Sequence, residues 1–385
     1  MSDLLRSAVA ARIAKLPLDV NVDEQDEDSE EGDSLGALLR SGLGPPAVPA
    51  RSSRAKPRRP PNPDFAPISA ETFFSSALQV AVPSRELDCR VYYTSPKFAD
   101  GTVMVCHHGA GYSGLSFACL AKEITDVSKG ECGVLALDAR RHGASSRCPR
   151  VLHKKDEDLS IGELVEDFFH LVRAVFPDPA VAPTLLLVGH SMGGSVVVRA
   201  CPLLLAQKYR VSGVAVLDVV EGSAIEALPH MHSLLNARPD GFDSPEDAIE
   251  WHVNTKTIRN PQSARVSVPA IVAPAPEPGP HAYIWRTTLR STAPYWSSWF
   301  MGLSDAFLAA RAARLLLLAG TDRLDRPLMI AQMQGKFQMV VASGVGHMLH
   351  EDDPTHVAEI LLEFWRRNDA SRLRLPVKIK GVGET

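Results

Sequence analysis

The sequence predicts an α/β protein in which a mainly parallel sheet is covered by helices on both faces. Short apolar runs typical of buried strands recur along the chain from Leu87 onward. Helical periodicity fills segments between them, as in the run of apolar residues from 161 to 172. The predicted strands are residues 88–93, 102–106, 133–137, 185–188, 214–217, 315–318 and 337–341.

The motif G-H-S-M-G at residues 189–193 joins the predicted strand 185–188 to the helical run 195–205. In this G-x-S-x-G pattern the serine sits on a strained turn, where side chains on its neighbours would collide. The N–H groups at the start of the helix point toward the serine and stabilise negative charge that develops there. The pattern therefore predicts Ser191 as the nucleophile of a hydrolase.

A histidine follows the last predicted strand, which is the chain order that this kind of site requires. His347 lies between the apolar run 337–341 and the helical run 354–366. An ordinary histidine pKa of about 6.5 lets the imidazole accept and return a proton near neutral pH. We predict His347 as the base and His350 as the alternative. We exclude His190, because its side chain should point away from the nucleophile's face of the turn.

The predicted strand 102–106 leads into the motif H-H-G-A-G at residues 107–111. An H-G-x-G loop offers a backbone N–H that binds the oxyanion together with the N–H of the residue after the nucleophile. This pattern predicts Ala110 and Met192 as the two donors. Gly109, in the same loop, is a candidate for contact with the substrate.

Two places in the chain can supply the acid that orients the histidine. Asp218 closes the predicted strand 214–217, whereas Asp322 and Asp325 follow the strand 315–318. Many proteins with this arrangement place the acid after the later strand, which slightly favours Asp322. The residues alone leave the choice open, and the carboxylate that is not used would cap a helix or form an ion pair.

Nine further motifs occur along the chain, and those that begin at Asp218 and Gln332 are far more specific than the serine turn. They are D-V-V-E-G at 218–222, I-E-W at 249–251, I-R-N at 258–260, S-A-R-V-S at 263–267, Y-W at 295–296, W-F at 299–300, G-L-S at 302–304, D-R-L-D at 322–325 and Q-M-Q-G-K-F-Q-M at 332–339. With them the chain resembles the protein phosphatase methylesterases of the α/β-hydrolase superfamily, over roughly residues 64–366.

The resemblance implies a serine carboxylesterase that removes the methyl ester from the C-terminal leucine of the protein phosphatase 2A catalytic subunit. It implies that subunit as the partner, Asp218 as the acid, and Ser191 and His347 as the family's serine and histidine. The chemistry requires no metal or organic cofactor. Two alternatives stay open: a generic carboxylesterase or lipase of the same fold, and a partner that holds the phosphatase inactive without essential catalysis.

About a hundred residues separate Asp218 from Leu315, and they hold four of the five tryptophans. An insertion here, before the penultimate strand, predicts a lid over the active site at about residues 223–312. Trp251, Trp296 and Trp299 are candidates for a peptide groove, although tryptophans that pack a lid onto the sheet would give the same pattern. The Pro-rich stretch 268–280 is expected to be an exposed loop.

Composition is typical of an intracellular enzyme with a catalytic domain at residues 64–385. The net charge of −4 gives no nucleic-acid signature, and the six cysteines show no clustered spacing. No apolar stretch has the length of a membrane span. We therefore expect a protein of the cytosol or nucleus, with thiols rather than disulfides.

Residues 1–63 differ from the rest of the chain and predict a disordered tail. Residues 23–33 carry eight carboxylates in eleven positions, and residues 51–63 alternate basic residues with proline. Neither stretch can bury a core. The basic run K-P-R-R at 56–59 could be a nuclear-import signal, although a solvated charge run is the more common meaning of such a pattern.

Overall fold

Strands and helices alternate in the computed structural model, which describes residues 60–147, 158–320 and 324–369. The predicted tail lies outside these ranges except for its last four residues, and so does the basic run 56–59. Twelve strands are formed in the described ranges. They are β1 (Ser76–Val82), β2 (Leu87–Thr94), β3 (Thr102–His107), β4 (Cys132–Leu137), β5 (Ser146–Arg147), β6 (Thr184–His190), β7 (Val211–Leu217), β8 (Gly241–Phe242), β9 (Val272–Pro274), β10 (Tyr283–Trp285), β11 (Ala313–Leu318) and β12 (Gln338–Val341).

The α-helices include the two that were predicted after the serine and at the C-terminal end. They are α1 (Ala118–Val127), α2 (Ile161–Val175), α3 (Met192–Ala206), α4 (Glu221–Ala237), α5 (Pro245–Asn254), α6 (Pro261–Ser267), α7 (Trp296–Phe300), α8 (Leu303–Ala309), α9 (Arg326–Met333), α10 (Leu349–Asp352) and α11 (Pro354–Asn368). Short 3-10 turns join several of these elements. Among the helices of the described ranges, none is long and apolar enough to span a lipid bilayer.

The main sheet has the strand order β1-β2-β4-β3-β6-β7-β11-β12, and β5 adds to the edge of β2. The pairs from β4 through β12 are parallel, whereas β1, β2 and β5 are joined antiparallel. The sheet is thus mainly parallel, as predicted. The edge strand β1 was not predicted, because only one of its seven residues is buried and it lacks an apolar run.

Alternate residues of the central strands face two separate cores. Val103 and Leu185 belong to the core beneath α2 and α3, whereas Met104 and Leu186 belong to the core beneath α1 and α11. Because every second side chain of a strand points to the same face, continuous apolar runs are what a sheet covered on both sides requires.

The segment between β7 and β11 contains five helices, α4 to α8, and a small antiparallel sheet in the order β8-β10-β9. It has a core of its own, which includes Phe242, Ile249 and Val268. The expectation that residues 268–280 form an exposed loop is therefore only half right. Residues 268–274 form a turn and strand β9, and Val268 and Val272 are buried because they fill this smaller core, whereas residues 276–280 are exposed.

Candidate active site

The ends of four parallel strands bring the predicted site residues to one edge of the sheet. The H-G-x-G loop follows β3, Ser191 follows β6, Asp218 follows β7, and His347 lies beyond β12. The carboxyl ends of parallel strands meet at the same edge of an α/β sheet, where such proteins bind their ligands.

Ser191 has the strained backbone that the G-x-S-x-G pattern requires, with φ 51° and ψ −121°. Its N–H donates to the carbonyl of Leu217, which ties the turn to β7 at 3.0 Å. A Cβ on Gly189 would lie 2.2 Å from the carbonyl oxygen of Gly193, and one on Gly193 would lie 2.2 Å from that of His107. Only glycine at these two positions lets strand, turn and β3 approach so closely.

His347 and Asp218 form a direct pair. The Nδ1 of His347 lies 2.6 Å from Oδ2 of Asp218, and the other carboxylate oxygen accepts the N–H of Ala319 at 2.8 Å. Asp218 is buried, with 2% of its surface exposed, whereas the histidine is partly exposed. A buried carboxylate held at both oxygens fixes the imidazole with its Nε2 available for proton transfer.

The other candidate acids have different surroundings. Asp325 caps α9 by accepting the N–H of Leu328 at 3.1 Å, and its second oxygen accepts the hydroxyl of Ser304 at 2.5 Å. Both of its oxygens are thus used for structure, as the sequence analysis expected of the carboxylate not chosen. Asp322 lies outside the described residues.

His190 lies closer to the site than expected. Its ring packs against that of His347 at 4.6 Å, its Nε2 is 2.8 Å from the His347 carbonyl, and it lines the cavity that contains Ser191. The expectation that it points away was wrong, because the strained turn places it against the histidine loop. Burial holds the pKa of His190 well below its ordinary value, so a neutral ring donates to that carbonyl.

His350, the alternative base, is fully buried and stacks on Phe117 with ring centroids 4.5 Å apart. Among the described residues, neither of its ring nitrogens has a hydrogen-bond partner. Burial lowers its pKa to about 3. A histidine enclosed in the core cannot exchange protons with a substrate at Ser191.

The H-G-x-G loop is held by two histidines that sequence analysis did not single out as functional. The Nε2 of His142 accepts the N–H of Gly111 at 2.9 Å, and that of His108 accepts the N–H of Ala139 at 2.9 Å. In each ring Nδ1 faces a backbone carbonyl, that of Arg140 or Gly109, so each is a neutral Nδ1–H tautomer. Burial lowers the pKa of His142 to about 4, which keeps it in this form at neutral pH.

Of the two predicted oxyanion donors, Ala110 lines the cavity that holds Ser191, and Met192 directly follows that serine. Met192 is the first residue of α3, whose N–H has no carbonyl partner within the helix. The N–H of Ala110 is hydrogen-bonded to no acceptor in the described part of the chain, although its neighbour Gly111 is held by His142. Arg140 of the adjoining loop is structural, because its guanidinium binds both oxygens of buried Asp167 at 2.7 Å.

A cavity of about 290 Å³ contains Ser191, Asp218 and His347 in its wall. All four residues predicted to contact substrate, Gly109, Trp251, Trp296 and Trp299, also line it. Trp296 and Trp299 are at the same time packed into the core, with 5% and 2% exposure. Each also donates its indole N–H, to Thr292 and to the carbonyl of Leu159. Trp296 and Trp299 therefore both line the cavity and pack into the core, which are the two roles that the sequence allowed.

Hydrogen bonds from the segment between β7 and β11 hold the loop that carries His347 in place. Asp352 accepts the N–H of Gly346 and the N–H of Arg259, both at 2.7 Å. At the adjacent Glu351, the side-chain carboxyl accepts a hydrogen bond from the hydroxyl of Ser267, and the backbone carbonyl accepts one from the hydroxyl of Ser263. Arg259 also donates to the carbonyl of Gly344 at 3.0 Å, so the I-R-N and S-A-R-V-S motifs hold the chain on both sides of the histidine. Both motifs are visible in the sequence, but no local pattern in the sequence pairs them with residues 351 and 352.

In the described ranges, no group of three or more His, Cys, Asp or Glu side chains is placed to hold a metal ion. The five cysteines within those ranges are buried free thiols, and Cys148 lies outside them. Burial raises the pKa of Cys89, Cys119 and Cys201, which keeps these thiols protonated and unreactive.

The family model described as "Alpha/beta hydrolase family" matches residues 104–360. Solved structures with the same fold include E-2-(acetamidomethylene)succinate hydrolase, with a TM-score of 0.57 and 17% identity over 75% of this chain and 98% of that one. A Mycobacterium tuberculosis esterase has a TM-score of 0.51 at 17% identity, over 75% of this chain and 90% of its own. At this identity the structural likeness shows the fold alone. The family model places the chain in the α/β-hydrolase superfamily, and together with the relatives described next it shows a carboxylic ester hydrolase.

More similar sequences are named "Protein phosphatase methylesterase 1". The one from Cryptococcus neoformans var. neoformans is 43% identical, over 100% of this chain and 96% of the relative. The one from Aspergillus fumigatus is 40% identical over 98% and 92%, and that from Neurospora crassa 37% over 99% and 98%. The chain belongs to the protein phosphatase methylesterase family, so the resemblance found in its motifs is confirmed.

Proposed function

We propose that this enzyme hydrolyses the methyl ester at the C-terminal leucine of the protein phosphatase 2A catalytic subunit, with Ser191, His347 and Asp218 as its catalytic triad. The main support for this triad is the 2.6 Å contact between Asp218 and His347 in the wall of the cavity that holds Ser191. The relatives' name, which describes methylesterases of a protein phosphatase, supports the choice of substrate.

In the first half of the reaction, Ser191 Oγ attacks the ester carbonyl while Nε2 of His347 takes the hydroxyl proton. The bond from Oγ to the carbonyl carbon forms as the carbonyl π bond opens, and the oxygen becomes an oxyanion. Asp218 stabilises the imidazolium through the Nδ1–H and keeps it in the productive tautomer. This role suits a carboxylate that is buried and held at its second oxygen by the N–H of Ala319.

The oxyanion is bound by the N–H groups of Ala110 and Met192. Preorganised donors of this kind typically contribute about 10²–10³ in kcat each, because they need not reorient as charge develops. His142 supports this arrangement through the N–H of Gly111, which holds the turn that presents Ala110.

In the second half, the tetrahedral intermediate collapses and the bond from carbon to the methoxy oxygen breaks. The imidazolium of His347 gives its proton to that oxygen, so methanol leaves and the peptide remains esterified to Ser191. Water then attacks the acyl-enzyme with His347 again as base, which releases a free carboxylate and restores the serine.

The apolar part of the cavity suits a leucine side chain. Val220, Leu228, Met231 and Leu235 line it beside the serine. Burying an apolar side chain of this size is worth about 1.5–3 kcal/mol, which helps to position the ester at Ser191.

The proposal is tested by comparing Ser191→Ala with Ser195→Ala, using methylated protein phosphatase 2A and measuring methanol release. Ser195 is a fitting control, because it is a fully buried serine of α3 whose hydroxyl has no hydrogen-bond partner in the described residues. Ser191→Ala should retain less than about a thousandth of the activity. Ser195→Ala should keep it.

A second measurement tests the substrate. Catalytic efficiency on methylated phosphatase, on a peptide that ends in leucine methyl ester and on p-nitrophenyl acetate should decrease in that order, because remote contacts position the ester. Equal efficiency on all three would instead indicate a generic carboxylesterase.

Residual activity of Ser191→Ala near that of wild type would exclude Ser191 as the nucleophile.

A further inference from the structure

Arg238 lies between two cavities, just after the end of α4. It lines the cavity that holds Ser191, and it also lines a neighbouring cavity of about 250 Å³. Leu235 and Leu289 are the other residues shared by both walls. A chain that leaves the first cavity for the second therefore passes the guanidinium of Arg238.

Within the described ranges, the guanidinium of Arg238 makes no hydrogen bond or ion pair. Its Cζ lies 3.7 Å above the centre of the Trp285 ring, and Trp285 is itself held by its indole N–H, which donates to Pro239. Stacking on a fixed ring orients a planar guanidinium without using any of its five donors. The donors of Arg238 are thus preorganised, and no acceptor in the described part of the chain uses them.

The neighbouring Arg290, in contrast, has protein acceptors. Arg290 binds the amide oxygen of Asn236 and the carbonyl of Leu235, and it lies 3.5 Å from the carboxylate of Asp240. Burial lowers the pKa of Arg238, while the neighbouring Tyr112 raises it and the charge of Arg290 lowers it. The guanidinium nevertheless stays charged. A part-buried cation without a counter-ion, as Arg238 is among the described residues, is unfavourable unless a ligand supplies the opposite charge.

We propose that Arg238 binds a carboxylate side chain of the substrate peptide, a few residues before the esterified C-terminal residue. This inference rests on the proposed function, since it takes the ester to lie at Ser191 and the rest of the tail to leave along Arg238. The part of the peptide that precedes the esterified residue would then lie in the second cavity. The enzyme would be selective for acidic C-terminal peptides. A hydrogen-bonded pair with a charged group changes binding by roughly 10- to 100-fold.

The experiment uses peptides that end in leucine methyl ester, with a single Asp moved from the second to the fifth residue from the end. Each peptide has a matched Asn version. The ratio of kcat/KM for Asp over Asn should reach about tenfold or more at one position in the wild-type enzyme. In Arg238→Gln that ratio should fall to about one, and in Arg238→Lys it should be intermediate, because Lys keeps the charge but loses the fork of donors.

Arg286→Gln is the matched control, because Arg286 is an exposed arginine of the same segment that lines neither cavity. It removes the same charge and should keep the wild-type ratio. Melting temperatures identify any variant that is destabilised as a whole.

Binding of unreactive peptides separates this inference from the proposed function. Peptides that end in leucine amide are used to inhibit hydrolysis of p-nitrophenyl acetate, and their inhibition constants should show the same Asp preference and its loss in Arg238→Gln. If methyl esters are not hydrolysed but Asp peptides still inhibit better than Asn peptides, the proposed substrate is wrong and the binding role of Arg238 is supported. If wild type shows no Asp preference at any position, or Arg238→Gln weakens Asp and Asn peptides equally, Arg238 has only a packing role and the inference is overturned.

Discussion

Oδ2 of Asp218 lies 2.6 Å from Nδ1 of His347, across the edge of the sheet where β7 and β12 end. The two residues are 129 positions apart in the chain, and the pairing of β7 with β11 and of β11 with β12 brings them together. Asp218 also has φ 51°, a backbone conformation unusual for a residue other than glycine. Such strain is retained where the surrounding structure holds a functional group in place.

Asp218→Asn should lower kcat by about 10⁴ with little loss of folding stability, because an amide at this site favours the wrong tautomer of His347. Asp325→Asn should instead act on folding stability. It weakens the cap of α9 and the contact with Ser304, which costs about 0.5–2 kcal/mol of stability but leaves turnover near normal. Methanol release and thermal unfolding distinguish the two. A folded, inactive Asp325→Asn beside an active Asp218→Asn would assign the acid to the later strand.

Gly193→Ala should abolish activity and lower the melting temperature. The new Cβ would lie 2.2 Å from the His107 carbonyl and 2.6 Å from that of His108, so α3 and the oxyanion loop must separate. Gly162→Ala in α2 is the matched control, because a Cβ added there would have no atom within 4 Å. It should raise stability by about 0.5–1 kcal/mol, since alanine is the better helix former. Equal effects of the two substitutions would show that the serine turn tolerates a side chain.

His142→Ala should lower kcat by roughly tenfold or more while KM changes little. It leaves the N–H of Gly111 without its acceptor, which costs about 1–3 kcal/mol and loosens the turn that presents Ala110. An interaction that serves only the transition state affects kcat rather than KM. His356→Ala, on the exposed face of α11, is the control and should behave as wild type. An increase in KM alone would assign His142 to substrate binding instead.

Folding stability should fall as the pH is lowered from about 6.5 to about 4. Among the described residues, six fully buried histidines have pKa values lowered by burial, so the unfolded chain binds protons in this window that the folded chain does not. They are His107, His108, His142, His190, His252 and His350. Each contributes stability above pH 6.5 that is lost at up to about 1.4 kcal/mol per pH unit as the pH falls toward its folded value.

Three buried carboxyls oppose this trend, because burial raises the pKa of Asp138 to about 6 and raises those of Glu351 and Asp352. The histidines outnumber them, so the net slope is positive with pH. Urea midpoints between pH 7 and pH 4.5 measure it. His350→Phe should make the slope shallower by about one proton, because an aromatic ring can keep the stacking on Phe117 without a protonation site. A slope unchanged by this variant would contradict the prediction.

The motifs that indicated the family are contact partners in the fold. Glu221 of D-V-V-E-G accepts the N–H groups of Gly302 and Ser304 from G-L-S, and the hydroxyl of Ser304 binds Asp325 of D-R-L-D. These contacts join the segment after Asp218 to the segment before β11. The sequence showed that these residues occur together, but only their distances show that they stabilise one another.

The sequence by itself determined the α/β architecture, the nucleophile's turn and the order of the site residues along the chain. Those features depend on local patterns: apolar runs, helical periodicity, and glycines where no side chain fits. Tertiary structure alone brought Asp218 rather than Asp325 to His347, turned His190 toward the histidine loop, buried Val268, Ile271 and Val272, and placed Arg238 over Trp285 with no acidic partner among the described residues. Each of these depends on contacts between residues far apart in the chain, which strand order and packing decide and local sequence does not encode.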